Sequence, residues 1–201
     1  MNIARTLVDL HGQVFTRLER AGDSWLIGSA ARLTFLAVLF FYYMNSAGTK
    51  VGEGLTGFFM IRDGAYFQIL TEQGLMAYDF DTANVPFHLD LVVWLGTYME
   101  FLLPVLIVIG LFTRIAAVGM IVFVLVQSFV DINFHGVGIE TAGMLFDRDS
   151  ASLIYDQRTL WVFLLGVLAI KGAGAISLDR ILAPLLKSRL GSIDEKAPLP
   201  A

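Results

Sequence analysis

Apolar residues fall into four long runs, at about residues 28–47, 91–113, 114–130 and 159–176. A helix needs about 20 apolar residues to cross the hydrocarbon of a bilayer, and within lipid it satisfies its own backbone hydrogen bonds. The runs show no alternation of apolar and polar positions, which a membrane β-barrel would require. The pattern therefore predicts an all-α fold, a transmembrane four-helix bundle.

The residues outside these runs divide the chain further. Residues 1–24 carry apolar side chains at helical spacing, which predicts an amphipathic helix on the membrane surface or, as the favoured alternative, packed against the bundle. We assign residues 25–180 to the membrane domain and residues 181–201 to a cytoplasmic tail, with its last ten residues disordered. The connections between the spans are aromatic and acidic, and residues 51–86 predict an interfacial cap.

Composition and charge remove several classes of function. Of the residues, 56% are hydrophobic and 16% charged, which is too little charge for an ordinary soluble domain. The net charge of -4 leaves no basic surface for a nucleic-acid partner. Because the chain has no cysteine, it cannot exchange thiols or hold a metal through thiolates. A redox role would require a bound cofactor or a protein partner.

The distribution of lysine and arginine predicts the orientation. If the N-terminus, the turn at Arg114 and the end from Lys171 face the cytoplasm, only Lys50, Arg62, Arg148 and Arg158 fall on the other side. The positive-inside rule then places both termini in the cytoplasm. The expected localisation is the cell (inner) membrane, crossed several times.

Glu100 is the candidate catalytic residue, because it lies well inside the second apolar run. An ionised carboxylate at that depth is costly, so the side chain must be protonated, paired or solvated within the bundle. Pro104, one turn later, frees the carbonyl of Glu100 and favours a kink with a local cavity. Proton exchange and a purely structural hydrogen bond to a neighbouring helix remain alternatives.

Arg32, Lys50 and Arg114 are the candidate cofactor-binding residues. Arg32 and Arg114 fall near the same membrane boundary, where guanidinium groups can bind an anionic substrate, a lipid phosphate or a quinone carbonyl, or can serve only as interfacial anchors. Arg32 and Lys50 are the possible partners of the Glu100 carboxylate within the chain.

Histidines and acids near the opposite boundary offer imidazole and carboxylate groups. His88 with Asp90, Asp131 with His135, and Glu140 can build a metal site or a proton-coupled quinone site, or can simply be solvated. Solvation is the favoured interpretation, and we assign no metal.

Three sequence segments resemble the DoxX family of small four-helix membrane proteins. Residues 100–104 and 110–117 read EFLLP and GLFTRIAA, which resemble the family signature. Arg32 and Lys50 frame the first run as in the family, and residues 172–179 resemble its C-terminal Gly-Pro-Gly-x-x-Ser-x-Asp pattern, with alanine in place of the proline.

The resemblance implies a four-helix membrane fold and, less directly, an activity. Family members resemble the membrane subunit of a thiosulfate:quinone oxidoreductase, and others look like partners of redox-defence enzymes. For this chain, the resemblance implies a membrane subunit that links a partner redox enzyme to the quinone pool, with quinone as its cofactor. The alternative is a non-catalytic membrane carrier, or an anchor or assembly protein for a partner, so whether the chain is an enzyme stays open.

Overall fold

A computed structural model describes residues 3–22 and 26–184 of this chain. Four helices are long and apolar enough to cross a membrane, and we call them the first to the fourth span: Ile27–Gly48, Phe87–Ile109, Thr113–Asn133 and Leu153–Lys171. No β-strand occurs in the described ranges, where the only β-type pairing is an isolated bridge between Val51 and Ile61. The prediction of an all-α transmembrane bundle is confirmed.

Consecutive spans run antiparallel and pack side by side, and the fourth span also packs against the first, which closes the bundle. The first and fourth spans each contain a wider π-helical turn, at Leu36–Phe40 and Leu153–Gln157. All four spans contribute to one apolar core, which contains Phe35, Leu39, Tyr43, Ile107, Ala117, Met120, Val124, Trp161, Leu165 and Leu168.

The two ends of the bundle differ in their connections. At one end, which we call the turn end, a short turn joins the second and third spans, and the first span begins where the fourth ends. At the other end, which we call the connection end, residues 49–86 join the first and second spans, and residues 134–152 join the third and fourth. The long segments therefore share one end of the molecule.

The boundaries of the second and fourth spans differ from the predicted ones. The second span ends at Ile109 because Gly110 takes the left-handed conformation (φ +72°), where a Cβ would lie 2.6 Å from the Cβ of Ser177. The fourth span begins earlier than predicted, after Ser152, whose hydroxyl accepts the N–H of Asp156 at 3.2 Å. It ends at Lys171, so the predicted continuation to residue 176 is wrong.

An amphipathic helix covers Ile3–Ala21, as the spacing of its apolar residues predicts. Its large apolar side chains, among them Leu7, Leu10 and Leu18, are exposed. The favoured expectation, packing against the bundle, is therefore not met in the described ranges, and contact with the membrane surface is the alternative that remains. Of the predicted tail only residues 181–184 are described, and the predicted disorder of the last ten residues lies outside the described residues.

The connection between the first and second spans folds as a series of short helices. They cover Gly54–Gly57, Asp63–Ile69 and Thr71–Leu75, followed by 3-10 turns at Met76–Tyr78 and Thr82–Asn84. Ala65, Tyr66 and Leu75 pack with Val93 of the second span in a small apolar cluster. The expected cap is thus an ordered layer on the bundle. A single helical turn, Ile139–Ala142, lies in the other connection.

Candidate functional site

Glu100 lies on the inward face of the second span because of its spacing from the other buried residues. Val93, Thr97, Glu100, Pro104 and Ile107 repeat at intervals of four and three residues, which places them along one stripe of the helix. This stripe faces the bundle, and only 1% of Glu100 is exposed. The carboxylate therefore lies inside the bundle.

Lys50 supplies the opposite charge from just beyond the end of the first span. Its backbone is held in a turn by hydrogen bonds from the Lys50 N–H to the Ala47 carbonyl (3.0 Å) and from the Arg62 N–H to the Lys50 carbonyl (2.9 Å). Its ammonium nitrogen lies 2.7 Å from Glu100 Oε2. The same nitrogen donates to the hydroxyl and the carbonyl of Ser46, at 3.1 and 3.3 Å. The ammonium group thus has a partner for each of its three protons.

The Lys50–Glu100 ion pair lies on the wall of a cavity of about 670 Å³ between the second and third spans. The apolar walls include Leu95, Met99, Leu103, Val122 and Val126. Leu95, Val122 and Val126 are about half exposed on the outer surface of the bundle, so the cavity opens sideways toward the bilayer. We call it the lateral cavity. Its polar lining consists of Ser46, Lys50, Gln68, Glu100, Gln127, Asp131 and His135.

Asp131 makes a second ion pair near the same cavity. The guanidinium of Arg158 lies 2.6 Å from Asp131 Oδ2 and donates to the hydroxyl of Ser128 at 3.1 Å. Arg158 is only 3% exposed, whereas the sequence identified it only as one of four basic residues on the non-cytoplasmic side. Sequence reasoning missed this pair. The order of the spans could have indicated the pair, because an antiparallel hairpin brings Asp131, at the end of the third span, beside Arg158, at the start of the fourth.

The other polar groups near the boundary make separate contacts. His135 lies with its Nε2 3.1 Å from the Gln68 carbonyl, and the Asp90 carboxylate accepts the hydroxyl of Tyr66. In the described part of the chain, no group of three or more histidine, aspartate or glutamate side chains could hold a metal ion. Asp131 and His135 share the lateral cavity, as their spacing suggested, but Asp131 is paired with arginine.

Some buried polar atoms have no partner. Gln127 donates to the Tyr42 hydroxyl at 3.4 Å, while its carbonyl Oε1 is buried without a hydrogen bond in the described ranges. Because Gln127 lines the lateral cavity, this atom could accept a hydrogen bond from a hydroxyl group in the cavity. Burial raises the pKa of Tyr66 to about 12, with a further contribution from its hydrogen bond to Asp90.

Arg32 and Arg114 lie at the turn end and not beside Glu100. The Arg32 guanidinium donates to the carbonyls of Val108 and Ala173, at 2.7 and 2.8 Å, and to that of Ile176. It therefore ties the end of the second span to the segment after the fourth. Arg114 is exposed and lines a separate cavity. Of the predicted site residues, the structure brings Lys50 and Glu100 together, and a ligand role for the two arginines stays a prediction.

The C-terminal motif has a structural role at the same end. The Asp179 carboxylate accepts the N–H groups of Phe112 and Thr113, at 2.6 and 3.0 Å, and so caps the third span. The Ser177 hydroxyl accepts the N–H of Arg180 at 3.3 Å, as expected for the start of the helical residues 178–184. The spacing of the glycines, Ser177 and Asp179 is therefore needed to close the turn end.

Comparisons with known proteins bear on these observations. No curated protein and no solved structure matches the chain. Residues 29–131, slightly more than half of the sequence, match DoxX, and this region contains Arg32, Lys50, Glu100, Arg114 and Asp131. With four apolar spans and this match, the chain is a multi-pass membrane protein that belongs to the DoxX family.

Proposed function

We propose that this protein is a membrane subunit that binds a quinone in the lateral cavity and links it to a partner redox enzyme. The observation that carries the proposal is the buried Lys50–Glu100 pair on the wall of an apolar cavity that opens toward lipid. A quinone reaches its binding site from the bilayer and needs both apolar contact for its ring and tail and polar groups for its carbonyls.

The residues of the cavity fit both parts of such a molecule. Leu95, Val122 and Val126 offer apolar contact beside the opening, and the polar end offers a donor in Lys50 and an unpartnered acceptor in Gln127 Oε1. Lys50 can donate to a quinone carbonyl by exchanging one of its Ser46 bonds, and Gln127 Oε1 can accept from a hydroxyl of the reduced quinol. The lining therefore suits an amphipathic ring better than a fully apolar or a fully charged ligand.

A bound quinone would supply chemistry in which two electrons and two protons are taken up together. Lys50 and Glu100 are the groups that can hold and transfer protons at the polar end, since their contact at 2.7 Å lets a proton move between Nζ and Oε2. The electrons would come from the partner enzyme or from a bound cofactor, because the chain has no cysteine with which to carry them. The lysine and glutamate thus act on protons only.

We place the protein in the cell membrane with both termini in the cytoplasm. The turn end carries Arg114, Lys171 and Arg180, whereas Lys50 and Arg158 at the connection end each form an ion pair within the protein. The partner enzyme would then approach from the connection end, where Leu55, Phe59 and Phe146 are exposed.

Quinone binding can be tested with substitutions that fill the cavity from its lipid-facing wall. Val126→Trp should weaken binding of a short-chain benzoquinone by about tenfold or more, a difference of about 1.4 kcal/mol. Val118→Trp is the matched control, because Val118 is exposed on the same helix outside the cavity. The measurement is a binding titration in nanodiscs. Absence of saturable binding, or equal weakening by both substitutions, would refute the proposal.

The partner link needs a separate experiment. The purified protein, combined with the products of its neighbouring genes, should deliver electrons to the quinone, and Glu100→Gln should reduce delivery while leaving quinone binding in place. No delivery with any of these partners would contradict the redox assignment.

The alternative is a carrier, or an anchor that assembles a partner. A carrier must open to both sides of the membrane, but Arg32, Gly110 and Ser177 pack closely at the turn end, away from the lateral cavity. Solute flux through liposomes that contain only this protein would instead support a carrier.

A further inference from the structure

A second cavity, of about 560 Å³, lies at the turn end of the bundle. It is bordered by the first residues of the third span and by the segment that follows the fourth span, and it does not share residues with the lateral cavity. We call it the basic cavity, because Arg114, Lys171 and Arg180 all line it. The proposed redox function makes no use of it.

Positive charge predominates in the basic cavity. Among the described lining residues, Arg114, Lys171 and Arg180 are basic and Asp179 is acidic, and the Asp179 carboxylate already accepts the N–H groups of Phe112 and Thr113. The third span also begins here, and the N-terminal end of a helix carries partial positive charge. The electrostatic environment therefore favours an anion.

A buried hydroxyl provides an independent indication of a ligand. Thr113 is fully buried and lines the basic cavity, and its Oγ1 has no hydrogen-bond partner in the described ranges. Most buried hydroxyl groups in proteins have a partner. A phosphate oxygen in the cavity would accept a hydrogen bond from this group, as well as bonds from the guanidinium groups of Arg114 and Arg180.

The edge of the basic cavity is apolar and faces the membrane. Ile115 is 73% exposed and Phe112 is 56% exposed, and both line the cavity next to Arg114. Ile115 belongs to the third span, so its exposed surface continues along the lipid-facing side of that helix. A charged cavity with an apolar edge at the membrane boundary matches a lipid headgroup and its acyl chains better than a soluble anion.

We propose that the basic cavity binds the phosphate of an anionic phospholipid from the adjacent leaflet. Arg114 and Arg180 bind the phosphate oxygens, Lys171 adds positive charge, and Thr113 donates its hydroxyl. Phe112 and Ile115 contact the acyl chains. The bound lipid joins the start of the third span to the segment after the fourth, and so stabilises the turn end.

The test compares the thermal stability of the full-length detergent-solubilised protein with three additives. Phosphatidylglycerol should raise the melting temperature in a saturable manner, whereas phosphatidylcholine and inorganic phosphate should not. Arg114→Gln and Arg180→Gln should each raise the apparent dissociation constant for phosphatidylglycerol about fivefold or more. Arg148→Gln is the control, because Arg148 is exposed in the connection between the third and fourth spans and lies outside the cavity.

The outcomes separate the sources of the phosphate group. A shift produced equally by inorganic phosphate would overturn the lipid assignment in favour of a soluble anion. Equal shifts with phosphatidylcholine, or equal dissociation constants for the wild type and the two cavity variants, would overturn the site itself. Because both arginines are exposed, their variants should melt at the wild-type temperature without lipid. If Arg114→Gln does not fold, Arg180→Gln alone decides the comparison.

Discussion

Lys50 and Glu100 are strongly dependent on each other because both are buried. Lys50 is 6% exposed and Glu100 is 1% exposed, so each charge is compensated mainly by the other. Removing one member of a buried ion pair leaves an uncompensated charge, which usually costs about 3–5 kcal/mol, whereas replacing both with apolar residues can be nearly neutral. The pair is therefore poor evidence for stability, although each member depends on the other.

A double-mutant comparison tests this dependence. We expect Lys50→Met to lower the free energy of unfolding by about 3–5 kcal/mol, since it leaves a lone carboxylate inside the bundle. The combination of Lys50→Met with Glu100→Met should recover most of that loss. Denaturant unfolding in mixed micelles, followed by circular dichroism, measures both values. A double variant no more stable than Lys50→Met alone would show that the charges are not coupled.

Tyr66 provides a pH-dependent contact outside the spans. Its pKa is raised to about 12 by burial and by the hydrogen bond to Asp90, above the ordinary value of 10.0. The neutral form is thus favoured in the folded state. Its stabilising contribution should be complete below about pH 10, where the unfolded chain also keeps the proton, and should be lost as the pH rises through about 12.

We expect Tyr66→Phe to reduce this alkaline loss of stability. At pH 8, the substitution should cost about 1–2 kcal/mol, because the hydrogen bond to Asp90 is removed. Denaturant unfolding from pH 8 to 11 measures both effects. Tyr155→Phe is the control, since Tyr155 is exposed and has no side-chain hydrogen bond in the described ranges. The same pH dependence in wild type and Tyr66→Phe would disprove the assignment.

At the scale of whole elements, hydrogen bonds at the turn end link the four spans to one another. Arg32 binds the carbonyl of Val108 near the end of the second span, and Asp179 caps the N-terminus of the third. The segment after the fourth span accepts from Arg32 and carries Asp179. A few side chains therefore connect all four spans through backbone groups.

Asp179 allows this arrangement to be tested. Asp179→Ala should lower the free energy of unfolding by about 1–2 kcal/mol, because the N–H groups of Phe112 and Thr113 lose their acceptor. Asp149→Ala, which removes a carboxylate from an exposed loop contact with Ala151, should cost less than about 0.5 kcal/mol. Equal effects in denaturant unfolding would mean that the cap contributes nothing beyond an ordinary surface contact.

Hydropathy alone could locate the four spans but not all of their ends. Runs of apolar residues continue through Gly110 and past Gly172, and neither position changes the hydropathy much. Backbone conformation decides both ends, since Gly110 has a φ of +72° and Gly172 a φ of +78°. A glycine becomes left-handed there because of packing against other elements, which periodicity along one helix does not encode.

The candidate site, like the ends of the spans, could be predicted only in part from the sequence. The depth of Glu100 required a partner, and Lys50 was one of the cations considered. The fold decides which of Arg32 and Lys50 pairs with Glu100. Arg32 does not, because it donates to the carbonyls of Val108 and Ala173 at the turn end. The Asp131–Arg158 pair was missed because each residue lies near the end of an apolar run, where a charge needs no special explanation.

The molecule as a whole has two unlike ends, and this asymmetry implies an orientation. The turn end carries the basic cavity, and the sequence beyond it adds Lys187, Arg189 and Lys196. The connection end carries the ordered cap and the polar end of the lateral cavity. The positive-inside rule predicts that the turn end lies in the cytoplasm, which would put the polar end of the cavity near the opposite surface.

Single cysteines can establish this orientation without background, because the chain has none of its own. Glu72 and Ser150 are exposed at the connection end, and Gly12 is exposed in the N-terminal helix. In intact cells, an impermeant maleimide should label Glu72→Cys and Ser150→Cys, whereas Gly12→Cys should react only after the membrane is made permeable. Labelling of Gly12→Cys alone in intact cells would reverse the orientation. It would also move the proposed partner to the cytoplasmic side and the proposed lipid to the outer leaflet.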